Sequence, residues 1–206
     1  MATRNEAARC DVHVAALCGS LRGPRSATLK ALRIAVREIE SAGATVDLID
    51  LSDMDLPLRE GPRDDDDHAG TRALKERVGK ADGVLLGSPE YHNSFSGVLK
   101  NALDLLSREE LGGKLIGLLG VGGGATGAIN TLGHLRYVVR GVGAWSLPAQ
   151  VSIPFAGQAF DGDRVRDPQL EERIRSFARE LVRFTMLLKV QPKFEAGLLQ
   201  VIDESP

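Results

Sequence analysis

Cysteine and aromatic residues are scarce in this chain of 206 residues: Cys10 and Cys18 are its two cysteines, and aromatics make up 4%. Two cysteines form no disulfide framework, and no neighbouring group activates either thiolate. Both read as inert residues, Cys10 in a loose terminus and Cys18 at a strand end, and a reduced cytoplasmic setting is the expectation. No apolar run approaches the ~18 residues of a membrane span, so no membrane partner is expected. MATRNEAARCD at the start lacks an apolar core, so no secretory signal is expected. Charge of one sign is lacking too. A net charge of −2 offers no general attraction to nucleic acid or anionic lipid. Also missing are a Ser/His/Asp arrangement, zinc-ligand spacing and paired catalytic carboxylates, so neither a metal nor a catalytic side chain is expected. No internal repeat or low-complexity linker is visible.

What is present reads as one globular domain, 43% hydrophobic and 26% charged. Its expected bounds are residues 11–190, between a loose N-terminal tail, 1–10, and a C-terminal tail, 191–206. Val12 to Leu17 is nearly all apolar, the pattern of a strand buried on both faces. Leu29, Leu32, Ala35, Val36 and Ile39 then mark an amphipathic helix that stops near Gly43. Thr45 to Leu51 is a second strand, Thr71 to Lys80 a helix, and Gly83 to Leu86 a third strand. A helix follows with Phe95, Val98, Leu99, Ala102 and Leu106 at helical spacing. Leu115 to Leu119, a helix from Ala128 to Arg140, and Ala144 to Val151, interrupted by Pro148, complete five strand–helix units with a last helix through Leu170, Ile174, Phe177, Leu181 and Phe184. Such alternation specifies a parallel sheet covered on both faces. The dinucleotide fingerprint GxGxxG is missing after the first strand, where the chain has Gly19-Ser20-Leu21-Arg22-Gly23-Pro24. The expected fold is therefore an α/β flavodoxin-like three-layer sandwich, its five-stranded parallel sheet in the order 2-1-3-4-5.

Three loops follow strands one, three and four. The first, GSLRGPRSAT from Gly19 to Thr28, offers hydroxyls at Ser20, Ser26 and Thr28 and guanidinium groups at Arg22 and Arg25. With the free N–H groups of a helix start, this is a phosphate-binding set. It lacks the Gly-Lys-Ser/Thr of a triphosphate loop, which points to a monophosphate. Ser26 also suits a helix cap, and the two roles are compatible. The second loop runs from Pro89 to Ser94. Its backbone groups suit the carbonyl and N–H edge of a flavin, whereas a plainer role makes Tyr91 a packing residue and Pro89 a strand terminator. The third, GVGGGATG from Gly120 to Gly127, has three consecutive glycines, suited to a flat ring approaching the backbone or to a tight turn.

Other features have plainer roles. The run Asp64 to Asp67 reads as a solvated loop beside a helix start, His13 as structural, and His134 and Arg136 as residues of a solvated helix face. Asn101 or Asp104 ties the second loop to its helix. The stripe of Phe177, Leu181 and Phe184 is core or subunit interface.

GSLR…S-x-T, PEYHNSFSGVLKNALD and GGG, over roughly Val12 to Pro154, resemble the NADPH-dependent FMN reductase family. The resemblance implies noncovalent FMN at the carboxyl edge of the sheet, with NADPH or NADH as hydride donor. Ser20, Arg22, Ser26 and Thr28 would hold the phosphate. Pro89, Glu90, Tyr91, His92, Asn93 and Ser94 would line the ring, and Gly122, Gly123 and Gly124 would close its other side. It further implies a homodimer or homotetramer with the flavin near a subunit interface. The chain departs from the family in three places: Gly23-Pro24-Arg25 puts one extra residue before Ser26, Thr28 stands where asparagine is frequent, and His92-Asn93 replaces a frequent Asn-Gly pair. The implied activity is an FMN-dependent NAD(P)H oxidoreductase with a flavin, quinone, azo compound or metal oxyanion as acceptor. The rivals are a flavodoxin-like electron carrier, disfavoured by the weak acidity and few aromatics, and a non-catalytic flavin-binding sensor.

Overall fold

The computed structural model describes residues 11–61 and 67–190. The expected tails, Cys10 and Asp64 to Asp66 lie outside the described residues. The elements run β1 (His13–Cys18), α1 (Ala27–Ser41), β2 (Thr45–Asp50), α2 (Ala69–Gly79), β3 (Gly83–Tyr91), β4 (Ser94–Phe95), α3 (Gly97–Asp104), α4 (Arg108–Leu111), β5 (Leu115–Val121), α5 (Ile129–Gly141), β6 (Trp145–Ile153), a hairpin of β7 (Phe160–Asp161) and β8 (Arg164–Val165), and α6 (Pro168–Val190). The five long strands stand in the order β2-β1-β3-β5-β6, every neighbouring pair parallel. Counted by long strands alone this is 2-1-3-4-5, the expected flavodoxin-like arrangement, with β4 attached antiparallel to β3.

Two cores flank the sheet, and β1 feeds both. Val14, Ala16 and Cys18 join the core shared with α1 and α6, whereas Ala15 and Leu17 join the one shared with α2, α3 and α5. Burial on both faces is why the strand reads as a continuous apolar run. Each large apolar side chain fully buried here contributes about 1.5–3 kcal/mol. Ion pairs fasten α6 to α1: Arg175 and Arg179 donate to Glu38 at 3.0 and 2.6 Å. Hydrogen bonds from Arg179 and then Arg175 hold the Glu38 carboxyl below the usual carboxylate range.

The structure resolves one open reading and corrects two expectations. The stripe on α6 is intrachain core: Phe177 and Leu181 are buried, and a Cβ on Gly117 of β5 would sit 2.9 Å from the Phe177 ring. The core reading of the stripe thus holds for Phe177 and Leu181, while Phe184 stays 37% exposed. Second, Pro89 does not end its strand. β3 continues to Tyr91, beyond the last β1 pairing at Gly87, so the β1 side makes no claim on the N–H that proline lacks. Third, Phe95 belongs to β4, not to the following helix. Ser96 caps α3 by accepting from the Leu99 N–H at 3.1 Å. Pro148 lies in β6, where the register with β5 shifts between Ile116 and Leu118.

Candidate active site

Because β1, β3 and β5 are adjacent and parallel, the three loops that follow them emerge side by side at one edge of the sheet. In the first loop, Ser20, Ser26 and Thr28 are buried, whereas Arg22 is exposed. Ser26 is the N-cap of α1, accepting from Leu29 N–H at 3.1 Å. The first-turn N–H groups of Ala27 and Thr28 have no carbonyl partner four residues earlier within the helix. The extra residue is taken up by a single 3₁₀ turn, Gly23–Arg25, with Gly23 at φ +51°. That turn leaves Pro24 and Arg25 exposed while Ser26 stays inside. Cys18, just before the loop, is buried, and burial pushes its thiol up to about 11. It is therefore protonated at neutral pH and is no nucleophile.

The second loop is a two-residue hairpin turn between β3 and β4. His92 and Asn93 sit at φ +51° and +62°, the doubly left-handed geometry that favours Asn-Gly. The sequence reading noted the departure from Asn-Gly without seeing this conformation. Glu90 reaches away from the turn and accepts from Thr131 N–H at 3.0 Å, capping the first turn of α5. Ser94 hydrogen-bonds His134 of the same helix at 3.0 Å. His134 is exposed, as expected of a solvated helix face, and also braces the hairpin, whereas Arg136 is half-buried and donates to Gln150 Oε1 and to the Leu147 and Pro148 carbonyls of β6. Asn101 ties down a different loop from the one expected, donating to Pro57 O at 2.8 Å and accepting from Arg59 N–H at 2.9 Å. Asp104 instead pairs with Lys100.

In the third loop, Gly122, Gly123 and Gly124 divide. A Cβ on Gly122 would lie 1.9 Å from Gly127 O, so the loop's own fold excludes a side chain there. Gly123 and Gly124 are exposed, have nothing within 4 Å of a built Cβ, and neither takes positive φ. Neither the φ > 0 argument nor packing within the chain explains glycine at these two positions. Between the first and second loops lies a bay of about 500 Å³, walled by Leu21, Met54, Leu56, Leu58, Tyr91 and Val98. The sequence reading passed over it, because the segment after β2 has no periodicity. Its one signal is the apolar alternation of Met54, Leu56 and Leu58 in an otherwise polar stretch.

Residues 12–158 match the family described as NADPH-dependent FMN reductase. The chain belongs to that family. An NADPH azoreductase of Bacillus sp. (strain OY1-2) is 39% identical over 137 residues, 66% of this chain and 73% of the relative. An FMN-dependent NADPH-azoreductase of Staphylococcus aureus (strain USA300) is 35% identical over 126 residues, 60% of this chain and 66% of that one, just under two thirds of its length. Among solved structures, a flavoenzyme NAD(P)H:(acceptor) oxidoreductase from Paracoccus denitrificans superposes with a TM-score of 0.69 at 25% identity, over 84% of this chain and 97% of that one. As a member of the NADPH-dependent FMN reductase family, the chain is an oxidoreductase that works with FMN and NAD(P)H. Among the described residues no helix is long and apolar enough to cross a membrane.

Proposed function

We propose that this reductase holds FMN across the three loops and passes reducing equivalents from NADPH to a flat aromatic acceptor in the cytoplasm. The observation that carries the site assignment is the open space over Gly123 and Gly124 at ordinary φ, next to the polar hairpin of a neighbouring strand. The residues present fit FMN. Ser20, Ser26 and Thr28 supply hydroxyls and Arg22 a guanidinium for the phosphate, at the positive end of α1. Pro89 to Ser94 supply backbone groups for the ring edge, and Gly123 and Gly124 leave room for its face.

Bound FMN supplies the hydride chemistry between the nicotinamide and the acceptor. The chain's own task is to bind, orient and exclude water. Glu90 and Ser94 hold the hairpin against α5, and Ser96 Oγ donates to Gly19 O at 2.6 Å, locking the first loop to the second. The named relatives are azoreductases, and the bay beside Tyr91 is apolar. Both favour an azo compound or a quinone over a metal oxyanion, which an apolar wall would leave poorly solvated. The exposed Leu21, Leu58 and Tyr91 also suit a homodimer or homotetramer in which a second copy covers this edge. Heat-released cofactor is expected to run as FMN, and NADPH is expected to bleach the yellow protein, with an azo dye restoring the colour anaerobically. A protein that stays colourless after reconstitution with FMN would sink this reading.

A further inference from the structure

Outside the first turn of α1 lies a cleft of about 220 Å³ that the flavin reading uses only through Arg22 and Ala27. Arg22, Arg25 and Lys30 line one side of it, and Gly157 and Phe160, after β6, line the other. We propose that Arg25 and Lys30 form a phosphomonoester subsite in this cleft that takes the 2′-phosphate of NADPH. The proposal rests on the flavin reading above and extends it to the choice of hydride donor.

Three cations around one small cleft stand out in a chain of net charge −2. Some arginine side chains fasten elements together: Arg77 to Asp47, Arg136 to β6, Arg175 and Arg179 to Glu38. The guanidinium groups of Arg22 and Arg25 have no such partner among the described residues. The 3₁₀ turn made by the extra residue carries Arg25 to the outside of the loop, so Arg25, grouped in the sequence with the flavin-phosphate set, is exposed while the hydroxyls of that set stay buried. Lys30 is anchored there, donating to Gly162 O at 2.5 Å in the β7–β8 turn, with the largely exposed Asp163 carboxylate 4.0 Å away. Its ammonium keeps two further donors for a ligand.

The flavin's phosphate accounts for only part of this cleft. The hydroxyls suited to that phosphate, on Ser20, Ser26 and Thr28, are buried and do not line it. FMN carries one phosphate, which Arg22 and the buried hydroxyls serve, so Arg25 and Lys30 are the cations left to meet a second anion. A phosphomonoester dianion presents three oxygens, and a fork-shaped guanidinium with an ammonium matches it well. NADPH carries such a group and NADH does not, so contacts made here discriminate between the two donors.

The test uses the FMN-loaded protein with Arg25→Gln, Lys30→Gln and the double variant, with folding followed by circular dichroism. Arg25 is exposed in a turn, so its substitution reports on the cleft even if Lys30→Gln loosens the β7–β8 turn. Each single variant is expected to raise the KM for NADPH roughly tenfold, the scale of a lost charge-assisted hydrogen bond, with the KM for NADH unchanged. Titration of 2′,5′-ADP onto the wild-type holoprotein is expected to show binding that the double variant loses, while 5′-AMP binds both alike. The FMN dissociation constant is expected to stay constant. Equal shifts for NADPH and NADH, no shift, no 2′,5′-ADP binding, or a wild type indifferent to the 2′-phosphate would each overturn the proposal. Weakened FMN binding in the variants would overturn it too, by assigning these cations to the flavin phosphate. Failure of the flavin reading looks different: a wild type that takes up no FMN at all.

Discussion

The base and the tip of the third loop use glycine for opposite reasons. At the base, Gly122 donates to Ile153 O at 2.9 Å and accepts from Ala156 N–H at 3.0 Å, and its missing side chain leaves room for Gly127 O. Here the fold itself demands glycine. At the tip, a side chain on Gly123 would meet nothing, and its φ is not positive. A glycine that the protein does not need for itself points to a bound molecule. One run of three identical residues thus holds a position fixed by the fold and one that the proposed function turns toward the ligand, and only the coordinates separate them.

The largest expected effect comes from Gly122→Val. Overpacking against the Gly127 backbone should lower stability by about 3 kcal/mol, read from the denaturant midpoint, and flavin binding should fail with it. A stable Gly122→Val protein would erase the distinction between base and tip. Gly123→Val should instead leave the dichroism spectrum and melting temperature native while FMN uptake and NADPH oxidation disappear. If that variant stays yellow and turns over normally, the tip is only a turn. Arg22→Ala should weaken FMN binding by about 1.5–3 kcal/mol in a fluorescence titration, with NADH and NADPH turnover falling together at limiting flavin. An unchanged constant would move the flavin phosphate away from the first loop.

The smallest effect is a gain. Asn93→Gly should stabilise the protein by up to about 1 kcal/mol, because glycine takes φ +62° without a side-chain penalty. A loss of stability on that change would mean that the Asn93 side chain holds the turn by a contact of its own.

How much of this is legible in the sequence follows from where each contact lies. The order of the long strands is readable because β1, β3 and β5 are apolar at nearly every position and each is followed by a helical period. The extent of β3 is not, because Pro89 looks like a stop until its neighbour β1 is seen to end first. Phe95 keeps helical spacing with Val98 and Leu99, so periodicity assigns it to the wrong element. On α6 the apolar stripe is real, but a stripe facing Gly117 and one facing a second subunit look the same in one dimension. The loop residues suited to FMN are named by motif, yet the Glu90 cap on α5 spans 41 positions of sequence and leaves no local trace. The bay wall, Met54 to Leu58, has no period to recognise.

The bonds from Ser96 to Gly19, from Gly19 to Gly87, and from Thr131 to Glu90, joined through the β3 backbone between Gly87 and Glu90, link the first loop to α5. The entropy of bringing these segments together is therefore lost when the chain folds, not when a ligand arrives. A receptor assembled in advance meets its ligand at a rate set by diffusion and orientation, which single substitutions alter little. Differences in affinity among variants of this edge then become differences in residence time: each will take up its flavin at a similar pace and part with it at its own.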